Sequence, residues 1–166
     1  MTYRRFDRGS LLSLVTDGLF VCVLLLVASQ RCQAGDWPQI LGPSRNGEAR
    51  DEPVIPKWSS EGPKRLWSYE IGQGYAGPAV VGDRVILFHR VGNAERVEAL
   101  DADTGKSLWK SDFDATYGGG VNPDLGPRSV PLIHEGRVYL FGAAGDLHCV
   151  SLKDGGKVWS REAYQD

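Results

Sequence analysis

The chain reads as an all-β protein of four-stranded antiparallel sheets, and three observations carry that reading. The first is composition: 166 residues hold 21 Gly, 9 Pro and 5 Trp against one Met, which favours tight turns and aromatic anchors over packed helices. The second is a repeated hairpin. Pro78 to Phe88 superimposes on Pro131 to Phe141 at a shift of 53, each with apolar runs flanking a two-residue Gly/acid turn. The third is a repeated turn ending in tryptophan, Ala99 to Trp109 on Cys149 to Trp159 at a shift of 50. Sheets of this kind stacked face to face around an axis make a β-propeller, and a repeat of about 40 to 50 residues is blade-sized. About two blades plus a closing strand fit in the chain, so the expected architecture is an incomplete propeller.

The elements follow in chain order. Residues 1–34 read as a signal peptide: Arg4, Arg5 and Arg8 precede an uncharged apolar run from Gly18 to Ala28, and Cys32-Gln33-Ala34 places small residues where a signal peptidase reads them. The apolar run is shorter than the ~18 to 20 residues that span a bilayer. Cleavage after Ala34 leaves Cys149 as the sole cysteine of the mature chain, so no internal disulfide forms, and its apolar neighbours mark it as a small core residue. Residues 35–60 form an extended N-terminal segment, and Leu66-Trp67 ends a strand of a closing blade.

Residues 61–166 hold the repeats, with blades at about 77–112 and 129–162. In the first, strands are expected near Ala79 to Val81, Arg84 to His89, Val97 to Leu100 and Ser107 to Lys110. Most are apolar on both faces, as in a sheet sandwiched between two others. The copies differ in length by three residues, which the pattern places in the loop between the second and third strands, Val91 to Arg96 in one copy and Gly142 to Asp146 in the other.

The pattern Ala99-x-Asp101-x-x-Thr104-Gly105-Lys106-x-x-Trp109 resembles the tryptophan-docking motif of the pyrroloquinoline-quinone-like, or quinoprotein-like, propeller repeat family. Asp36 to Gly47 is similar to the opening segment of many exported bacterial members, and Gly126 to Pro131 with Gly142 to Cys149 resembles their second blade. The second copy departs from the motif, with Cys149 for Ala, Ser151 for Asp and Asp154 for Thr. The motif also has a physical reading: Gly105 permits the turn, short side chains at Asp103-Thr104 bond nearby amides, and Trp109, like Trp159, lies on an outermost strand against the adjacent blade. A calcium loop at Asp101 to Gly105 fails because Gly and Lys stand where an EF-hand needs a ligand and its Gly.

Other chemistry is sparse. A formal charge of −2 gives no electrostatic case for nucleic acid. His89, His134 and His148 lack metal-ligand spacing, and Gly118-Gly119-Gly120 is followed by no helix carrying Lys-Ser/Thr, so it reads as a flexible connection. Arg128 ends the long connection Ser111 to Val130 and, with Tyr75, Arg90, Tyr117 and Asp124, is placed near the mouth of a central channel. There Arg128 and Tyr75 are candidate ligand contacts, against the alternative of an Arg that fixes a loop through carbonyls.

The resemblance implies an exported protein, periplasmic or extracellular, held to the membrane only through the signal segment. It implies either a non-catalytic scaffold for a protein or cell-envelope partner, or a piece of a quinone-dependent dehydrogenase. The second class would need PQQ, calcium held by Glu, Asn and Asp with a catalytic Asp, and usually a vicinal cysteine pair. No such set assembles from this sequence, so no cofactor is expected, and further blades or self-association are needed to close the fold.

Overall fold

The computed structural model describes residues 35–49 and 57–163. The expected signal peptide lies outside them. Among the described residues there is no helix long and apolar enough to cross a membrane.

Eight strands form two four-stranded antiparallel sheets: β1 (Ala79–Val81), β2 (Arg84–Val91), β3 (Ala94–Asp101) and β4 (Ser107–Asp114), then β5 (Leu132–His134), β6 (Arg137–Phe141), β7 (Asp146–Ser151) and β8 (Lys157–Glu162). Each sheet keeps its strands in chain order, the meander of a propeller blade. The shared sequence pattern gives a shared register. Ala99 faces Trp109 and Cys149 faces Trp159, and each sheet has an irregularity one residue further on, between Ala99 and Leu100 and between Cys149 and Val150.

The strands of the first sheet are longer than the apolar pattern indicates. β2 runs on to Val91 and β3 starts at Ala94, so Gly92-Asn93 is a two-residue turn and the expected Val91 to Arg96 loop is mostly strand. The three-residue difference between copies therefore lies in strand length, not in a loop insertion. The second sheet replaces those pairs with a four-residue connection, 142–145. β4 likewise reaches Asp114, so the link between sheets begins at residue 115 and not at Ser111.

The core lies between the sheets. Ala79, Ile86, Phe88, Val97 and Ala99 from the first meet Ile133, Val138, Leu140 and Val150 from the second, with Trp109, Phe113, Val130 and Leu152 closing the margin. β2 and β3 are largely buried on both faces, whereas the outer strands β4 and β8 are mostly exposed.

Candidate functional site

The tryptophan motif joins the sheets in one direction along the chain. The backbone of the first turn is closed by Gly105 N–H to the Asp101 carbonyl (2.8 Å) and Asp101 N–H to the Lys106 carbonyl (2.9 Å). The second turn repeats both bonds, from Gly155 to Ser151 (2.9 Å) and from Ser151 to Gly156 (2.8 Å). Trp109 Nε1–H donates to the Leu152 carbonyl (3.1 Å), and Ser111 Oγ–H to the Gly155 carbonyl (2.6 Å). One step earlier, Trp67 Nε1–H donates to the Ala102 carbonyl (2.8 Å). Both receiving glycines are left-handed, with φ of 69° at Gly105 and 73° at Gly155, and a Cβ on either would fall 2.7 Å from Trp67 or 2.5 Å from Trp109. Glycine is thus required twice over, for the turn and for the indole lying on it. Trp159 has no such turn against it among the described residues and leans on Tyr139, ring centroids 6.2 Å apart.

Inside the first turn Thr104 Oγ1 accepts from the nearby Lys106 N–H (3.4 Å), as expected, and the remaining polar chemistry differs between copies. In the first, Asp101 bonds as well: its Oδ1 accepts from Thr104 N–H (2.8 Å) and Thr104 Oγ1–H (2.6 Å), which holds its carboxyl below the usual carboxylate range. In the second, the acid has moved to Asp154, which accepts from Gly156 N–H (3.0 Å) and is lowered chiefly by that bond. The substitutions Ser151 and Asp154 leave the turn intact because its backbone bonds and glycine are unchanged.

The residues expected at a channel mouth lie near one another, and several of their donors go to backbone carbonyls. Arg128 donates to the Asp124 carbonyl (3.1 Å) and the Gly126 carbonyl (3.4 Å), and its guanidinium stands 5.4 Å from the Tyr117 ring centroid. Arg90 donates to the carbonyls of Gly92, Tyr117 and Leu125 at 3.0, 2.7 and 3.3 Å. The Asp124 carboxylate accepts from Gly74 N–H (3.1 Å) and Gly126 N–H (2.9 Å). Tyr75 is exposed, with its hydroxyl 3.4 Å from Asn122 Nδ2. This is a braced loop.

Two buried polar groups escaped sequence reasoning. Glu95, in the stretch expected to be loop, is buried and accepts from Ala143 N–H (2.7 Å), which ties β3 to the second sheet; burial pushes its carboxyl up. Glu98 is buried under Tyr69, whose hydroxyl donates to it (2.8 Å), as does that of Ser107 (2.6 Å). Beside it His89 Nδ1 accepts from Gly72 N–H (2.8 Å), so Nε2 carries the ring proton, 3.8 Å from Glu98. His148 stacks on Phe113 with centroids 3.9 Å apart and pairs through Nδ1 with Ser160 Oγ (2.9 Å). Burial pushes both imidazoles down. His148 also lines an open cleft of about 570 Å³ with Asp114, Asp146 and Glu162. His134 is exposed next to Glu135.

Residues 49–166 match the family described as outer membrane protein assembly factor BamB. The chain belongs to this family. It is 39% identical over 64 residues to the outer membrane protein assembly factor BamB of Moranella endobia, covering 34% of this chain and 16% of that protein. It is also 30% identical over 105 residues to a 1-butanol dehydrogenase (cytochrome c) of Thauera butanivorans, covering 61% and 15%. Its sheets overlay the quinohemoprotein alcohol dehydrogenase of Comamonas testosteroni with a TM-score of 0.59 at 22% identity, covering 84% of this chain and 21% of that one. The fold is therefore that of quinoprotein-like propellers, and the chain spans about a sixth of the length of its curated relatives.

Proposed function

We propose that the chain is a non-catalytic part of an exported β-propeller that serves as a binding or assembly scaffold for a protein of the cell envelope. The observation behind this reading is where the polar groups expected at the channel mouth point. PQQ is a flat tricarboxylate whose site needs cationic donors aimed at the ligand and, for its calcium, a cage of 6 to 8 oxygen atoms. Arg90 and Arg128 instead point their donors at backbone carbonyls, and the Asp124 carboxylate is taken by two amides. Among the described residues no group of three or more His, Cys, Asp or Glu could hold a metal ion. These residues do not fit the cofactor.

The relative described as an outer membrane assembly factor supports the scaffold and its placement in the periplasm or another exported compartment. A second reading, a piece of a quinone-dependent dehydrogenase whose active site lies outside these residues, draws on the alignment with the 1-butanol dehydrogenase. Calorimetric titration with the quinone and calcium, together with a dye-reduction assay on alcohols and sugars, separates the two when run on the protein with its full set of blades, and tests these residues themselves when run on the purified chain. The scaffold reading expects no saturable binding and no turnover; one site per chain with calcium-dependent turnover contradicts it. N-terminal sequencing of the exported product tests the compartment: it should begin at Gly35, and a product beginning at Met1 contradicts export by cleavage.

A further inference from the structure

Strand order leaves β1 and β5 each with a free edge, and these are the strands of the two sheets that approach each other most closely. Such an edge presents unpaired N–H and C=O groups and is a template for strand addition. Here both edges are already engaged by the N-terminal segment. Trp37 exchanges two backbone bonds with Val80 (2.7 and 2.9 Å), and Ile133 N–H donates to the Pro38 carbonyl (2.8 Å). The Asp36 carboxylate takes Gly82 N–H (2.8 Å). Three consecutive residues thus bridge two blades.

The following residues fold back and hold that bridge. Gly42 N–H donates to the Gln39 carbonyl (3.0 Å), Arg45 N–H to that of Gly42 (3.1 Å) and Gly47 N–H to that of Leu41 (2.9 Å), while Arg45 Nε reaches Gln39 Oε1 (2.9 Å). The Trp37 ring lies so close to Gly42 that a Cβ there would stand 2.7 Å away. Leu41 and Arg45 have φ of 61° and 53°, a left-handed backbone that disfavours L-residues and persists where the surroundings enforce it. Asp36, Trp37 and Pro38 carry the backbone-level bonds to the sheets, and most of 39–49 is exposed. The segment is built to sit on the edges without being part of the core.

We propose that residues 36–47 are a detachable strap that holds the inner edges of both blades by strand addition and can leave them without unfolding either sheet. Amide hydrogen exchange on the full chain tests this. In the unaltered protein the Val80 and Ile133 amides are protected. Trp37→Pro removes the donor to Val80 and the ring on Gly42, and both amides then lose protection by about tenfold or more, while Phe88 and Val97 in the β2–β3 ladder are unchanged. A synthetic peptide of residues 35–47 added to the variant restores protection at both amides. Asp36→Ala, a milder change, should speed exchange at Gly82 and Val80 without touching the ladder. The proposal is overturned if Val80 and Ile133 do not respond to Trp37→Pro, if the ladder amides lose protection in parallel, or if the peptide fails to restore it.

Discussion

At the scale of single residues, what separates Trp109 from Trp159 is the turn that receives the indole. Trp109 lies on Gly155 with its N–H bonded, whereas Trp159 has Tyr139 beside it. Full burial of a Trp makes truncation to Ala cost ~3 to 5 kcal/mol. Both indoles are half-buried but only Trp109 also fills a turn, so Trp109→Ala should cost about 2 to 3 kcal/mol in denaturant unfolding and Trp159→Ala less. Equal costs would show that the turn contact is not what matters. Titration offers a second residue-scale prediction. His89 and His148 are both held below the ordinary imidazole value of 6.5, by burial first. A depressed folded value means that the fold prefers the neutral ring. The stability this gives is complete above pH 6.5 and is lost as pH falls below that value and through the folded one. Asp101 and Asp112, lowered from 3.8 by their hydrogen bonds to Thr104 and Arg96, act in a more acidic window. The histidines should therefore lower the melting temperature between pH 7 and 5, against an opposing contribution from Glu95, whose carboxyl burial pushes up, and replacing both histidines by Gln should remove their part of that slope whatever it does to the baseline.

At the scale of elements, the strand ends carry more than the sequence pattern suggests. Arg90 and Glu95 face each other across β2 and β3, both buried, and reach in opposite directions, to the 117–125 loop and to Ala143. Arg90→Met should leave the sheet folded and speed proteolytic cleavage between Tyr117 and Leu125; unchanged cleavage would mean that the loop holds itself. These same residues explain where sequence reading stopped. The strands β1 and β5 and both glycine-tryptophan turns were legible because their signals are local: apolar triplets before a turn, and a fixed spacing from Gly to Trp. Glu95 and Arg96 looked like loop because their partners, the Ala143 amide and the Asp112 carboxylate, are distant in sequence, which no periodicity records. For Arg128, whether the guanidinium faced a ligand or a carbonyl depended on backbone positions the sequence does not display. The strap was visible as a family-like segment and invisible as an edge cover, since its bonds run from backbone to backbone.

For the whole molecule, the repeat predicts its own unfinished side. Ala79, Ile86, Phe88, Val97 and Ala99 are at most 2% exposed because the second sheet covers them. Their counterparts Leu132, Tyr139, Phe141, Leu147 and Cys149 lie on the far face of the second sheet, where Phe141 is 44% exposed. A repeat stack needs a neighbour or a cap on such a face. The isolated mature chain should self-associate in sedimentation; a monomer that melts cooperatively would contradict the open-ended architecture. The rule joining one blade to the next is the central claim: the tryptophan that ends one repeat docks on the glycine turn of the next, as Trp67 does on Gly105 and Trp109 on Gly155. A double-mutant cycle on unfolding free energy, using Trp→Phe and Gly→Ala at these positions, tests it most directly. Coupling of about 1 kcal/mol or more is expected for Trp109 with Gly155 and for Trp67 with Gly105, and additivity within ~0.5 kcal/mol for Trp67 with Gly155. Additive behaviour in the two docked pairs, or equal coupling in all three, would contradict the account.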